Sequence, residues 1–306
     1  MIDAVDDRVF VAIAAYREPE VAATIESCLE RAARPELLRF GVCLQYDDSL
    51  PGAGSDALDD VAERATVEQI RLPFTEARGG CWARYQAQGL YDGEGFTLQV
   101  DAHSRMGEAW DDELRALARE LPSAKPLLTG FPPLYDLVDG EVRLMEDVDL
   151  PLPIAVVEHW SRDGWIHHPV IPAPTKAPGV VRRTRVLSGA FVFTLGRWNV
   201  EVRQDPEHLY AGEEFALTLR SFTHGYDLWN PPRPVLWHRH HPGGNPKYIT
   251  DDPDHRFEWR HQRACKRLRT LLSGDPDGVL GPYGLGTERT LDEYRRFSGL
   301  DHETYE

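Results

Sequence analysis

An acid and a histidine, two residues apart, directly follow an apolar segment near residue 100. The segment Phe96–Val100 leads into Asp101, Ala102 and His103. In an extended chain, residues i and i+2 point the same way, so this carboxylate and this imidazole can bind one ion together. A mixed oxygen and nitrogen ligand set suits Mn²⁺ or a similar divalent ion such as Mg²⁺. The alternative interpretation is an ordinary junction between a strand and a turn, with Asp101 capping the turn.

A second apolar segment also ends in histidines. Val235–Trp237 is followed by His238, Arg239, His240 and His241. If the strand continues, His238 and His240 share one face, and one of them could complete a metal site with the Asp-x-His pair. A cluster of solvated surface histidines is the alternative interpretation.

Two acids open a predicted amphipathic helix further along the chain. Glu213 and Glu214 follow Gly212, with Phe215 and Leu217 after them. One carboxylate could face a site and accept hydrogen bonds from the hydroxyl groups of a ligand. Acids in a first helical turn are also favoured by the helix dipole, whatever the function.

Two glycines between arginines precede another predicted helix. In the segment Arg78–Arg84, Gly79 and Gly80 can bring backbone N–H groups close to a phosphate. The side chains of Arg78 and Arg84 could add charge-assisted hydrogen bonds. A Gly-Gly pair also occurs as a simple turn, and the segment is neither a Walker loop nor a dinucleotide-binding fingerprint.

The elements that must position these residues alternate along the first 130 residues. Strands are predicted at 9–14, 40–44, 67–72 and 96–100, and helices at 19–33, 82–90 and 108–120. This alternation predicts an α/β fold with a mostly parallel sheet and Rossmann-like winding. Asp101 then lies at the carboxyl end of a strand, where open α/β sheets bind their ligands.

The chain changes character after residue 130. Residues 131–186 hold many prolines, so regular structure is not expected to be continuous there, and a lid or acceptor loop is predicted. Beyond it, strands are predicted at 187–195 and 235–240, and helices at 212–223 and 256–272, the last of them basic. Residues 281–297 are first glycine-rich and then charged.

Composition and charge exclude several classes of protein. The 306 residues carry 34 basic and 50 acidic side chains, a formal charge of −16, which argues against nonspecific nucleic-acid binding. No stretch approaches the length of a membrane-spanning helix, and the N-terminus lacks the pattern of a signal peptide. Four scattered cysteines without metal-ligand spacing indicate a reducing compartment, so a cytoplasmic protein without a membrane partner is expected.

Eight short segments occur in an order that is specific even though each is weak alone. They are Ala12–Glu20, Arg78–Arg84, Leu98–His103, Ser188–Phe191, Ala211–Glu214, Thr223–Asp227, Val235–His238 and Tyr283–Thr290. Together they resemble the cytoplasmic hydroxyproline-linked GlcNAc-transferase family, whose fold is related to that of the polypeptide GalNAc-transferases. The resemblance implies a GT-A fold, with a Rossmann-like, mostly parallel central sheet flanked by helices. It also implies a UDP-sugar donor, Mn²⁺ or a similar ion, and retention of anomeric configuration.

The resemblance also implies roles for individual residues. Asp101, His103 and His238 match the metal ligands, His238 rather than His240 because it follows Leu-Trp. Asp101 and Glu213 are the expected catalytic carboxylates. The residues expected to bind the donor are Ala15, Tyr16, Arg17, Arg78, Arg84, Gly189 and Glu213. Ala190 stands where the family has a glycine lining the sugar pocket, and its extra methyl group bears on which sugar fits.

The resulting prediction is one catalytic domain over residues 1–306. Its parts are a nucleotide-sugar-binding half at 8–130, the lid at 131–186, a second half at 187–272 that completes the metal and sugar site, and a tail at 273–306. The predicted reaction moves GlcNAc from UDP-GlcNAc to a hydroxyl group of a hydroxyproline-like residue, a small molecule or a glycan. The alternatives are a non-catalytic UDP-sugar-binding module and a metal-dependent sugar-nucleotide hydrolase or pyrophosphorylase.

Overall fold

The computed structural model describes most of the chain. The described residues are 2, 5–145, 180–209, 212–239, 247–253 and 255–299, together with the backbone of four two-residue strands at 154–155, 159–160, 166–167 and 170–171. Within the predicted lid at 131–186, residues 146–153, 156–158, 161–165, 168–169 and 172–179 therefore lie outside the described residues, and so does His240.

The strands in the described residues form a central sheet and three smaller sheets. In chain order they are β1 Val9–Tyr16, β2 Leu38–Tyr46, β3 Thr66–Pro73, β4 Phe96–Asp101, β5 Ser104–Met106, β6 Pro126–Thr129, β7 Leu134–Val138, β8 Glu141–Leu144, β9 Ile154–Ala155, β10 His159–Trp160, β11 Ile166–His167, β12 Val170–Ile171, β13 Arg182–Arg183, β14 Phe191–Leu195, β15 Asp227–Asn230 and β16 Leu236–Arg239. The central sheet has the order β13-β15-β6-β14-β4-β1-β2-β3. A second sheet has the order β5-β16-β7-β8.

The helices connect these strands and cover the sheet. The α-helices in the described residues are α1 Val21–Arg31, α2 Asp59–Ala62, α3 Gly80–Gln88, α4 Trp110–Glu120, α5 Trp198–Glu201, α6 Glu213–Thr223, α7 Tyr248–Asp251, α8 Phe257–Leu272 and α9 Leu291–Ser298. Short 3₁₀ turns occur at Pro35–Leu37, Phe74–Glu76 and Gly281–Tyr283. Among the described helices, none combines the length and the apolar character needed to cross a bilayer.

The first half of the chain builds a parallel sheet, as the strand and helix alternation predicts. Strand β1 lies between β2 and β4 and runs parallel to both. It is buried on both faces because helices cover the sheet, which is why its sequence is apolar without alternation. Strand β14 is antiparallel to both β4 and β6, so the sheet is mixed beyond β4.

Two registers bring the candidate site together. Ala14 of β1 is paired with Asp101 of β4, so the residues after β1 lie beside the Asp-x-His pair. In the second sheet, His238 of β16 is paired with Ser104 of β5 in antiparallel register. The two sheets therefore meet at residues 101–104.

Several elements were not expected from the sequence. Strands β6 and β15 are only four residues long, too short for a periodic signal. In the charged tail, α9 begins with a capping box in which Thr290 and Glu293 exchange hydrogen bonds, a Ser/Thr-x-x-Glu signal that the prediction missed. The proline-rich region also starts more regularly than predicted, with the β7–β8 hairpin.

His208 contributes to stability in a way that depends on pH. The side chain is buried, and burial lowers the pKa of its imidazole to about 4, although nearby Asp205 opposes this effect. Between pH of about 6.5 and about 4, the unfolded chain binds a proton that the folded chain does not. This contribution is fully present above pH of about 6.5 and falls as the pH is lowered, by about 2.5 kcal/mol at pH of about 4.5.

We therefore expect His208→Leu to flatten the acid side of the stability profile. Urea unfolding of both proteins at pH of about 7.5 and about 4.5 measures the effect. The loss of unfolding free energy on acidification should be smaller in the variant by about 2.5 kcal/mol. Equal losses in the two proteins would contradict the buried neutral imidazole.

Candidate active site

Asp101, His103 and His238 converge on one point. The Nε2 atoms of the two histidines are 2.9 Å apart, and Nε2 of His238 is 3.2 Å from Oδ2 of Asp101. All three side chains can place a ligand atom within 4.8 Å of the other two. Adjacent ligands of an octahedral cation with bonds of about 2.1 Å are about 3 Å apart, so the spacing and the chemistry of this donor set fit Mn²⁺ or Mg²⁺.

Backbone contacts hold this cluster in place. The hydroxyl of Thr24, on the buried face of α1, donates to the carbonyl of Ala102 at 2.8 Å and accepts from the N–H of Ser104 at 3.0 Å. These bonds set the turn between Asp101 and His103. The Ala102 side chain, between the two ligand candidates, packs in the core. The Arg239 N–H donates to the His103 carbonyl at 2.9 Å, which ties β16 to the same turn.

Glu18 orients the first histidine. Its Oε2 lies 2.9 Å from Nδ1 of His103, and its side chain is only 8% exposed. A proton on Nδ1 that is donated to this carboxylate leaves the Nε2 lone pair directed at the cluster, the arrangement common behind metal-binding histidines. Glu18 was not among the predicted site residues. The available signal was its place in the loop after β1, next to Tyr16 and Arg17.

Replacing Glu18 should weaken metal binding. We expect Glu18→Leu to lower Mn²⁺ affinity by about 10–100-fold, with Glu18→Gln intermediate because it keeps an acceptor but loses the charge. Titration of free Mn²⁺ by electron paramagnetic resonance measures the affinity. Glu26→Gln, at an exposed carboxylate on α1, is the matched control. Unchanged Mn²⁺ affinity in Glu18→Leu would rule out the orienting role.

Arg84 connects the metal cluster to the acid of α6. Its guanidinium donates to Oδ1 of Asp101 at 2.7 Å and to Oε1 of Glu213 at 2.6 Å. The other oxygen of Glu213 accepts from the Cys81 thiol at 2.5 Å. The two acids that open α6 thus differ in role, because Glu214 instead accepts the N–H of Gly189 at 2.6 Å.

Opposite charges in this network keep Arg84 and Asp101 ionised, although burial favours their neutral forms. Burial alone would lower the pKa of Arg84, but Glu213 and Asp101 outweigh it and raise this pKa above its ordinary value. Burial alone would raise the pKa of Asp101, but Arg84 and His238 hold it well below the ordinary range. With Glu18 included, three carboxylates and one guanidinium leave a formal charge of −2, which matches a divalent cation.

Two glycines lie at close approaches of the chain. Gly79, just before α3, has φ of +99°, and a Cβ there would lie 2.4 Å from Cδ1 of Leu209. A Cβ on Gly189 would lie 2.7 Å from Nη1 of Arg84. The predicted donor-binding residue Gly189 is therefore placed against Arg84, where a side chain would displace the guanidinium.

A cavity of about 300 Å³ opens onto the cluster. It is lined by residues of β1, α3, β4 and α6, by the loops after β1 and β4, by Leu209 and by the segment at 247–249. These residues are Ala14, Tyr16, Glu18, Gly80, Arg84, Asp101, Ala102, His103, Leu209, Glu213, Lys247, Tyr248 and Ile249. Besides Asp101 and His103, three of the predicted site residues line this cavity: Tyr16, Arg84 and Glu213. The segment 247–249 was not identified from the sequence.

Three predicted donor-binding residues lie elsewhere. Side chains alternate along β1, so Ala14 and Tyr16 face the cavity while Ala15 packs in the core. Arg17 forms ion pairs at 2.7 Å with both Asp47 and Asp251. Arg78 does not line the cavity; it lies over the ring of Trp82, with 5.5 Å to the ring centroid.

The chain matches a family model described as Glycosyltransferase (GlcNAc) over residues 8–62 and 54–304. The chain belongs to this glycosyltransferase family. No curated protein sequence matches this glycosyltransferase. The predicted hydroxyproline-linked subfamily remains an expectation.

Solved structures similar to this glycosyltransferase include GalNAc-T7, solved with UDP, GalNAc and Mn²⁺. The two chains share 16% identity with a TM-score of 0.62, over 97% of this chain and 56% of GalNAc-T7. Residues 1–349 of S. aureus TarS, solved with UDP-GlcNAc, share 12% identity with a TM-score of 0.46, over 78% of this chain and 60% of TarS. This glycosyltransferase thus spans less than two thirds of each of these chains. The similarity to GalNAc-T7 confirms the predicted GT-A fold.

Proposed function

We propose that this glycosyltransferase moves a sugar from a UDP-sugar to a hydroxyl acceptor in a reaction that depends on a divalent cation. The observation that carries the proposal is the Asp101, His103 and His238 cluster, backed by Glu18 and open to a cavity at the carboxyl ends of β1 and β4. Ligands bind at this end of an open α/β sheet. GalNAc-T7, which has the same fold, was solved with UDP, GalNAc and Mn²⁺, and this supports the choice of donor and metal.

Asp101, His103 and His238 would hold Mn²⁺ or Mg²⁺. When bound, the cation neutralises the negative charge that builds on the UDP leaving group. Arg84 keeps the Asp101 carboxylate ionised and fixes its orientation through Oδ1, which leaves Oδ2 beside His238. Glu18 keeps the lone pair of His103 directed at the same point.

Glu213 is positioned to act on the substrates. Its side chain borders the cavity, and Arg84 and Cys81 hold both of its oxygens. From there the carboxylate accepts hydrogen bonds from hydroxyl groups of the donor sugar or orients the acceptor. In a retaining transfer, the acceptor hydroxyl attacks from the face on which the phosphate departs, and that phosphate takes the proton.

GlcNAc is the proposed sugar, in keeping with the description of the family. Ala190 lies next to Gly189 in the turn before β14, and its N–H is 3.3 Å from the Ser188 hydroxyl. Ala190 is the next residue along the chain from Gly189, whose Cα faces Arg84. A donor panel is needed because one methyl group changes sugar preference by only about 10–200-fold.

Nucleotide release from a donor panel tests the proposal. UDP-GlcNAc, UDP-GalNAc, UDP-glucose and GDP-mannose are each incubated with the protein and Mn²⁺, with and without EDTA, and UDP and UMP are quantified. We expect slow UDP release from one UDP-sugar that EDTA abolishes. UMP release would instead identify a pyrophosphorylase-type hydrolase, and metal-dependent UDP binding without any release would identify a non-catalytic binding module.

A further inference from the structure

The turn before β14 lies against the guanidinium group of Arg84. A Cβ built on Gly189 would lie 2.7 Å from Nη1, 3.3 Å from Nη2 and 3.4 Å from Cζ of Arg84. The first of these distances is too short for any side chain, so glycine permits an approach that other residues would prevent. The Gly189 backbone is therefore a wall for the arginine that bridges Asp101 and Glu213.

Both polar groups of the Gly189 backbone are held by side chains from other elements. Its N–H donates to Oε1 of Glu214 at 2.6 Å, and its carbonyl accepts from Nε2 of Gln99 at 2.9 Å. Next to it, the Ser188 N–H donates to Oγ1 of Thr129 at 2.9 Å. Buried backbone groups must keep such partners, so the turn cannot tilt without breaking one of these hydrogen bonds. Residues outside the turn thus set its position.

Gln99 carries a polar atom that opposes folding. The side chain is 2% exposed, and among the described residues its Oε1 has no hydrogen-bond partner. A buried acceptor without a donor is unfavourable, and an apolar side chain of similar size would avoid this penalty. The Nε2 group of the same side chain holds the Gly189 carbonyl. The presence of glutamine here therefore indicates a role in the site rather than in stability.

The same two elements hold the arginine and its wall. Along β4, Gln99 and Asp101 are two residues apart and share one face, and Gln99 contacts Gly189 while Asp101 contacts Arg84. In the first turn of α6, Glu214 contacts Gly189 while Glu213 contacts Arg84. A shift of the Gly189 backbone therefore changes the space available to the guanidinium group.

We propose that Gln99 and Glu214 are positioning residues of the metal site, which act through Gly189 on Arg84. This inference rests on the proposed function, in which Arg84 orients Asp101. An arginine side chain has many rotamers, and the Gly189 wall excludes those that move the guanidinium group towards the turn. Nη2 of Arg84 then stays 2.7 Å from Oδ1 of Asp101, which leaves Oδ2 beside His238.

The Mn²⁺ affinity of the full chain, measured by electron paramagnetic resonance, tests the proposal. Neither residue belongs to the metal cluster, yet we expect Gln99→Met and Glu214→Leu each to weaken Mn²⁺ binding by about 3–30-fold. Glu214→Gln keeps an acceptor for the Gly189 N–H and should recover most of the affinity lost in Glu214→Leu. Gln262→Met, at an exposed glutamine on α8, is the matched control and should stay within about twofold of the original.

A double-mutant cycle with Arg84→Gln separates positioning from a general loss of structure. If Gln99 acts through Arg84, Gln99→Met should change the Mn²⁺ affinity by less than about twofold in the Arg84→Gln background. A merely structural defect would instead weaken Mn²⁺ binding equally in both backgrounds. Urea unfolding shows which variants are folded, and the same cycle with Glu214→Leu repeats the test from the other side of the turn.

Two outcomes would overturn the proposal. They are Mn²⁺ affinities within about twofold of the original in the folded single variants, and equal losses of affinity with and without Arg84. Failure of the proposed function is recognised separately, as absence of UDP release from the original chain in the donor panel. If that chain also bound no Mn²⁺, the cycle would be measured by urea unfolding in EDTA. Additive losses in the free energy of unfolding would then overturn the coupling, and non-additive losses would support it.

Discussion

Asp101→Asn is expected to abolish metal-dependent sugar transfer, lowering UDP release by about 10³-fold or more. Within the part of the chain that the structure describes, Asp101 is the anionic member of the cluster with His103 and His238. The substitution preserves the shape of the side chain but removes the charge that the cation and Arg84 both use. Several kcal/mol of leaving-group stabilisation depend on that cation, which gives the expected size of the loss.

The measurement is initial UDP release at saturating donor, together with the affinity for Mn²⁺. Asp59→Asn is the matched control, because it neutralises an exposed carboxylate in α2, away from the cluster. The variant should still unfold cooperatively in urea, since Arg84 retains Glu213 as a partner. UDP release at the original rate in Asp101→Asn, or in excess EDTA, would show that the reaction does not depend on the metal.

Arg84→Gln is expected to affect both stability and activity. Its guanidinium is 12% exposed and bridges Asp101 and Glu213. Removing one partner of a buried ion pair leaves uncompensated charge, and we expect a loss of about 3 kcal/mol in the free energy of unfolding. With Arg84 absent, burial raises the pKa of Asp101, which weakens the metal site as well.

Two further variants separate charge from geometry. Arg84→Lys keeps the positive charge, but one ammonium group cannot reproduce the two-pronged guanidinium contact, so partial stability with strongly reduced UDP release is expected. The double variant Arg84→Gln/Glu213→Gln also neutralises one of the two carboxylates that lose Arg84 as a partner. It should recover part of the lost free energy of unfolding. Urea unfolding with and without Mn²⁺ measures both effects. Equal stability of Arg84→Gln and the original chain would contradict the bridging role.

Mn²⁺ should stabilise Arg84→Gln more than it stabilises the original chain. In the original chain, Arg84 supplies a positive charge beside Asp101. In the variant, the bound cation supplies that charge instead. Binding to the folded state raises the free energy of unfolding according to the ligand concentration and its dissociation constant. This comparison distinguishes a local electrostatic defect from general misfolding, which Mn²⁺ would not reverse.

The local patterns of the sequence were sufficient for most of the framework. Apolar runs predicted β1 and β4, and spacings of three and four residues predicted α1, because these signals depend only on neighbours along the chain. The same holds for Asp101 and His103, whose spacing of two already places them together. Strands as short as β6 and β15 carry too few residues for such a pattern.

The third metal-ligand candidate shows what local patterns cannot decide. His238 lies 135 residues after His103. The residues alone did not decide between His238 and His240 as the third ligand, and the family resemblance favoured His238. The antiparallel register of β16 with β5 places His238 opposite Ser104 and so beside His103. Register is a property of two strands at once, and neither strand alone encodes it.

The sequence by itself determined the fold class, the position of the Asp-x-His pair at a strand end, and the acid that opens α6. The family resemblance had favoured Glu213, but only the tertiary structure gave Glu213 and Glu214 their different contacts. It also separated Arg84 at the cavity from Arg78, which lies over the Trp82 ring. It also introduced Glu18 as the partner of His103. Each of these choices depends on which side chains meet after distant segments pack, and the direction of a single side chain is set by that packing rather than by its neighbours in sequence.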